Sequence, residues 1–101
     1  MEQKVQTELA REYAEELEYF YNEERLDEYL ECIMDVSCIV DTSGDIQDVI
    51  LMRAWGGPNI YINTRRQVVE VYWGNYGEWD ISHDIKEALV NFCKDLYSFT
   101  A

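Results

Sequence analysis

The sequence predicts an α+β domain: one or two N-terminal helices, a four-stranded antiparallel sheet and a C-terminal helix, α(α)ββββα, in two layers. Three observations carry this. Apolar residues recur at helical spacing near both ends of the chain, as in Val5, Leu9, Tyr13, Leu17 and Phe20 and again in Ile85, Leu89, Phe92 and Leu96. Between them the period drops to two, as in Val36, Cys38 and Val40. The connections between the alternating runs are short, which favours an antiparallel meander with helices on one face.

Residues 3–22 form the first predicted helix, with Ala10, Ala14 and Tyr21 flanking its apolar stripe. Asn22 marks a break. Residues 24–32 then read as a short second helix turning Leu26, Tyr29, Leu30 and Ile33 inward, and one helix unbroken to residue 31 is the alternative. The first strand holds Val36, Cys38 and Val40, and the second holds Ile46, Ile50 and Met52 on one face. DTSGD between them is a turn in which Gly44 can take positive φ. WGGPN joins strands two and three, with Pro58 holding Gly57 extended and Gly56 supplying any positive φ. NIYIN and QVVEVYWG complete the four strands, with Ile60 and Ile62, then Val69, Val71 and Trp73, sharing a face. GNYGEWD reads as a loop. Ser82 caps the last helix, whose stripe is Ile85, Ala88, Leu89, Phe92, Leu96 and Phe99.

The chain of 101 residues fits one domain, residues 1–101, and its 48% hydrophobic and 14% aromatic content argues for a folded core. The net charge of −13 is unusual and regional. Residues 1–50 hold 15 acids and 3 bases, or −12, and residues 51–101 hold 6 acids and 5 bases, or −1. Cys32, Cys38 and Cys93 are odd in number and lack CxxC spacing, so buried free thiols in a reducing cytosol are expected. No apolar run suits a membrane span, and the first residues are not a signal peptide.

Motifs for catalysis are missing. His83 is the single histidine and has no partner in the sequence pattern that would make it a base. Asp41, Asp45 and Asp48 lack the spacing of a calcium loop, so neither metal nor cofactor is expected. Eight bases against 21 acids exclude direct nucleic-acid binding, Arg65 and Arg66 notwithstanding, and those two keep a hairpin turn soluble. Tyr72, Trp73, Tyr76 and Trp79 suit core packing, with Tyr76 and Trp79 also free for protein contact.

The stretch REYAEELEYFYNEERLDEYLE, residues 11–31, carries nine acids among 21 residues, against Arg11 and Arg25. Glu8/Glu12, Glu12/Glu16, Glu12/Glu15 and Glu15/Glu18 stand at helical-neighbour spacing, as do Glu23/Asp27, Glu24/Glu28 and Asp27/Glu31. Each like-charge pair costs about 0.2–0.5 kcal/mol. Two requirements account equally for such a cost. One is a solvated acidic face. The other is imitation of nucleic-acid phosphates: helical neighbours stand about 5–6 Å apart, close to the phosphate spacing along one strand, and would be steered to basic channels.

Small size, acidity and the lack of enzymatic motifs resemble anti-CRISPR and antirestriction DNA-mimic proteins of phages and mobile elements. LMRAWGGPNIYINTRRQVVEVYWG, within residues 49–97, is also similar to uncharacterised mobile-element proteins of Firmicutes, through GGPNIYINT and VYWG. The second likeness implies a shared fold and a mobile-element origin and carries no function. The first is one of type and, together with the acidic face, leads to the expectation of a non-enzymatic inhibitor of a bacterial CRISPR effector or other nucleic-acid-binding defence protein, acting in the host cytoplasm. Its expected contacts are Glu8, Glu12, Glu15, Glu16, Glu18, Glu23, Glu24, Asp27 and Glu28, with Tyr19 and Trp79 as anchors. The alternative is a regulatory or assembly adaptor of a phage or conjugative element, monomeric or homodimeric, whose acidic face is merely solvated.

Overall fold

The computed structural model describes residues 3–97. In chain order they form α1 (Gln3–Asn22), α2 (Leu26–Leu30), β1 (Asp35–Val40), β2 (Ile46–Ala54), β3 (Asn59–Asn63), β4 (Val68–Tyr72), β5 (Tyr76–Asp80) and α3 (His83–Leu96). The strands make one antiparallel meander in the order β1-β2-β3-β4-β5. The α+β class and the flanking helices are as expected, but the sheet has five strands, not four. The extra strand comes from GNYGEWD, expected to be a loop. Tyr76–Asp80 folds back on β4 from Tyr72↔Tyr76 to Val68↔Asp80, around a tight turn at Gly74, φ +74°.

Gly77 disguised this strand. It stands second in β5, and a glycine inside a strand normally weakens it. Here it admits α1: a Cβ at Gly77 would collide with the backbone of Gln6 and Thr7. The smallest residue is therefore the contact point between the first helix and the edge of the sheet.

One face of the sheet is covered by α1 and α3. Register places Val36, Cys38, Val49, Leu51, Ile60, Ile62, Val69 and Val71 on it. The core joins these strands to Ala10, Ala14 and Leu17 of α1, Tyr29 of α2, and Ile85, Leu89 and Cys93 of α3. The buried line of α1 runs through Gln6, Ala10, Ala14 and Leu17, while Val5, expected to be core, is 42% exposed. Small residues let the helix lie close to the strands. Gln6 is wholly buried, and its amide donates to the Trp73 carbonyl oxygen at 2.6 Å.

The β2 phase differs from simple alternation. Val49 and Leu51 enter the core, and Ile50 and Met52 face the other side. The cause is an irregularity in pairing, where Ile39 opposes Asp48 but Val40 opposes Ile46. Gln47 is extra, so Ile46 and Val49 share a face although three residues apart. Trp73, Leu96 and Cys32, all expected inside, are exposed. Cys38 is half-buried, and Cys93 is buried, which pushes its thiol up to about 11. Phe99 lies outside the described residues.

The remaining local predictions turn on caps and glycines. Ser82 Oγ accepts from the Ile85 amide at 3.2 Å and starts α3. Gly44 takes φ +87° in the DTSGD turn, which Asp41 ties by accepting from Ser43 and Asp45 amides at 2.9 and 3.0 Å. In WGGPN, Gly57 is not extended: Gly56 and Gly57 take φ +104° and +137° before a cis Gly57–Pro58 bond.

Candidate protein-binding surface

At about 100° per residue, the outward arc of α1 holds Glu8, Glu12, Glu15 and Tyr19, with Glu18 at its flank. All five are exposed, and Tyr19, 52% exposed, sits amid the carboxylates with its ring edge-on to Phe20. The acidic surface then continues across the turn into α2 through Glu23, Glu24, Asp27, Glu28 and Glu31, all exposed. Among the described residues, only two of these carboxylates meet a base. Glu15 stands 3.6 Å from Arg11, and Glu28 pairs with Arg25.

The turn between the helices has its own cost. The Arg25 amide donates to the Phe20 carbonyl and the Glu24 amide to the Tyr21 carbonyl, at 2.8 and 3.1 Å. This is the Schellman pattern, and its left-handed position normally takes glycine or asparagine. Here Glu24 occupies it, at φ +57°. A left-handed conformation costs a residue with a Cβ about 1–2 kcal/mol. The Arg25 guanidinium packs 5.0 Å from the Phe20 ring and closes the motif. The sequence placed the break at Asn22, whereas the left-handed residue is two positions later.

Glu16 does not belong to the open ridge. It lies half-buried on the helix flank and takes a two-pronged contact from Arg53 of β2, at 3.0 and 3.3 Å. Arg53 also lies over the Tyr13 ring at 5.3 Å. Burial opposes the Arg53 charge, but the Glu16 bonds outweigh it and hold the guanidinium above its usual range. This pair fastens α1 to the sheet. Trp79 stands apart from the ridge as well. It is 41% exposed on β5, with the Arg11 guanidinium 5.7 Å from its ring. Arg11 thus links Trp79 to Glu15 along one side of α1.

Two of the three aspartates considered for metal or enzymatic chemistry, Asp41 and Asp48, are engaged in the fold. Asp41 holds its turn, and bonds from Asp45 first and Ser43 next keep its carboxyl below the usual range. Asp48 accepts from Thr64 at 2.9 Å and faces Lys86 at 3.7 Å. His83 is exposed, with Gln67 and Glu87 at 3.2 and 3.1 Å from its nitrogens. No group of three or more His, Cys, Asp or Glu is arranged to hold a metal among the described residues. No described helix is long and apolar enough to cross a membrane.

The other face of the sheet, which no described helix covers, holds a cluster that sequence reasoning missed. Arg66, expected only to solubilise a turn, reaches Glu70 and the Tyr76 hydroxyl at 2.8 Å each and Glu78 at 2.9 Å. These three acceptors, Tyr76 first, hold its charge above the ordinary range. The signal lay in the i,i+4 pair Arg66–Glu70 and in the cross-strand pair Glu70↔Glu78, legible only once β5 is recognised. No protein-family model, curated protein or solved structure matches the chain.

Proposed function

We propose that this chain is a non-enzymatic inhibitor of a bacterial nucleic-acid-binding defence protein, of the anti-CRISPR kind. The acidic ridge of α1 and α2 would occupy the basic channel where such an effector holds DNA or a guide–target duplex. The observation that carries the reading is the run of exposed carboxylates Glu8, Glu12, Glu15, Glu18, Glu23, Glu24, Asp27 and Glu28, continued through a left-handed turn where glycine would be easier. A helix pair under selection for stability alone would interleave bases with these acids. Glu16 is assigned to the fold through Arg53 rather than to the partner, and Tyr19 is the central aromatic anchor.

The test has two stages. The chain is used to capture proteins from bacterial lysate, with elution by salt. A basic nuclease should be bound at low salt and released at high salt, because salt shortens the reach of surface charge, to about 10 Å at 0.1 M and about 3 Å at 1 M. DNA cleavage by that nuclease is then measured with the native chain and with Glu8→Lys, Glu12→Lys and Glu15→Lys combined. Loss of inhibition supports phosphate mimicry. Full inhibition by the triple variant removes the ridge from the mechanism, and capture of no nucleic-acid-binding protein removes the inhibitor reading.

A second reading, a homodimeric adaptor, is favoured by the β1 edge. Met34, Val40, Leu96 and Tyr97 are exposed around a strand without lysine or proline to guard its free side. Light scattering that gives a dimer in the native chain and a monomer in Val40→Lys, with no nuclease captured, selects this reading.

A further inference from the structure

On the uncovered face of the sheet, Ile50, Asn59, Tyr61, Glu70 and Tyr72 line a shallow depression of about 450 Å³. We propose that this depression receives the ammonium or guanidinium side chain of a lysine or arginine from a protein partner. The inference stands apart from the acidic ridge, because α1 covers the other side of the sheet.

Glu70 is the first reason. It is only 7% exposed, an unusual place for a carboxylate. One oxygen, Oε2, is well served: Arg66 donates at 2.8 Å and the Tyr76 hydroxyl lies at 3.4 Å. The other, Oε1, has the Asn63 amide at 3.5 Å, the far limit of a hydrogen bond. A carboxylate oxygen can accept two good bonds, and a poorly served buried one is costly. A donor entering the depression would therefore find an acceptor that the fold has left underused.

The aromatic walls are the second reason. Tyr61 opposes Glu70 directly across β3 and β4, and Tyr72 lies beyond it, with the two rings 6.0 Å apart at 75°. Ring faces attract cations. The carboxylate makes a purely apolar occupant unfavourable and an anion more so. A lysine or arginine satisfies all the walls at once, its stem along Ile50 and its charge between the rings and Glu70. The neighbouring base, Arg66, is already committed to Glu70, Glu78 and Tyr76 and does not fill this role. The net charge of −13 favours approach of a basic partner.

The experiment is an NMR titration of the whole chain with N-acetyl-arginine amide and N-acetyl-lysine amide, with N-acetyl-norleucine amide as the uncharged control. The cationic probes should give saturable shifts of the Ile50 methyl groups and the Tyr61 and Tyr72 rings, in the millimolar range, and norleucine should not. Tyr61→Leu should weaken the response about 2- to 5-fold, the worth of one exposed cation–π contact. Glu70→Gln should abolish the saturable response, and Tyr61→Leu keeps the test valid if that substitution disturbs the Arg66 cluster. The combined Glu8, Glu12 and Glu15 reversal should leave the response unchanged, which separates this site from the ridge. Equal shifts with norleucine, or saturable shifts confined to α1 and α2, overturn the proposal.

Discussion

The helix-covered and uncovered faces of the sheet are made from alternate residues of the same strands, yet different forces hold them. The covered face is a continuous apolar layer of Val49, Leu51, Ile60, Ile62, Val69 and Val71, closed by α1 and α3. The uncovered face is organised by one guanidinium, Arg66, that gathers Glu70, Glu78 and Tyr76, with Tyr61 and Tyr72 beside it. Burial stabilises the first without direction, and directional bonds fix the second. The contrast teaches where sensitivity lies. Damage to the covered face should unfold the domain, whereas damage to the uncovered face should alter a surface on a domain that still folds.

The largest effect is expected from Leu17→Ala, which empties a fully buried position on α1 at a cost of about 2–5 kcal/mol. Chemical denaturation should show a lowered midpoint with the slope retained. Gly77→Ala comes next, at about 1–3 kcal/mol, because the added methyl meets helix backbone, which cannot yield as a side-chain tip could. A Gly77→Ala chain of native stability would show that α1 does not press on β5 as described.

These two positions also mark how far the sequence was legible. Leu17 stood out because a helical stripe repeats often enough to average over noise, and the same held for α3 and its Ser82 cap. Gly77 did not, because a short strand with a glycine inside it looks like a loop until the helix against it is known. The β2 phase was lost for a related reason: one extra residue, Gln47, moves the core from Ile50 and Met52 to Val49 and Leu51. Most of the acidic ridge was visible, since solvent-facing charge needs no partner to be recognised. Glu16 was misassigned because its partner, Arg53, is distant in sequence.

A smaller effect is expected on the uncovered face. Tyr76→Phe removes the hydroxyl that accepts from Arg66 at 2.8 Å and donates to Glu78 at 3.0 Å, a loss of about 0.5–1.5 kcal/mol. The effect should depend on pH. Bonds from Arg66 first and Tyr76 second hold the Glu78 carboxyl below its usual range. A depressed carboxyl pKa contributes stability above its unfolded value, and that stability is lost as pH falls through the folded value. The native chain and Tyr76→Phe should therefore differ at neutral pH and converge in acid. A difference that stays constant into acid would show that the hydroxyl acts by packing and not through Glu78.

The smallest effect on stability should come from the ridge. Reversing Glu8, Glu12 and Glu15 leaves Glu16 and its bond to Arg53 in place, so the helix stays fastened to the sheet. Surface substitutions of this kind usually fall within about 0.5 kcal/mol. Reversal keeps positions 8, 12 and 15 alike in charge, but it turns the Glu12/Glu16 and Glu15/Glu18 repulsions into attractions and lowers the net charge from −13 to −7, which offsets the loss of the weak Glu15–Arg11 pair at 3.6 Å. The melting temperature should be unchanged or slightly higher, with salt narrowing the difference from the native chain. Such an outcome separates folding from binding, because any inhibition lost in that variant is then lost without damage to the core. A large fall in melting temperature would instead place these three glutamates in the fold and remove the physical basis for calling the ridge a binding surface.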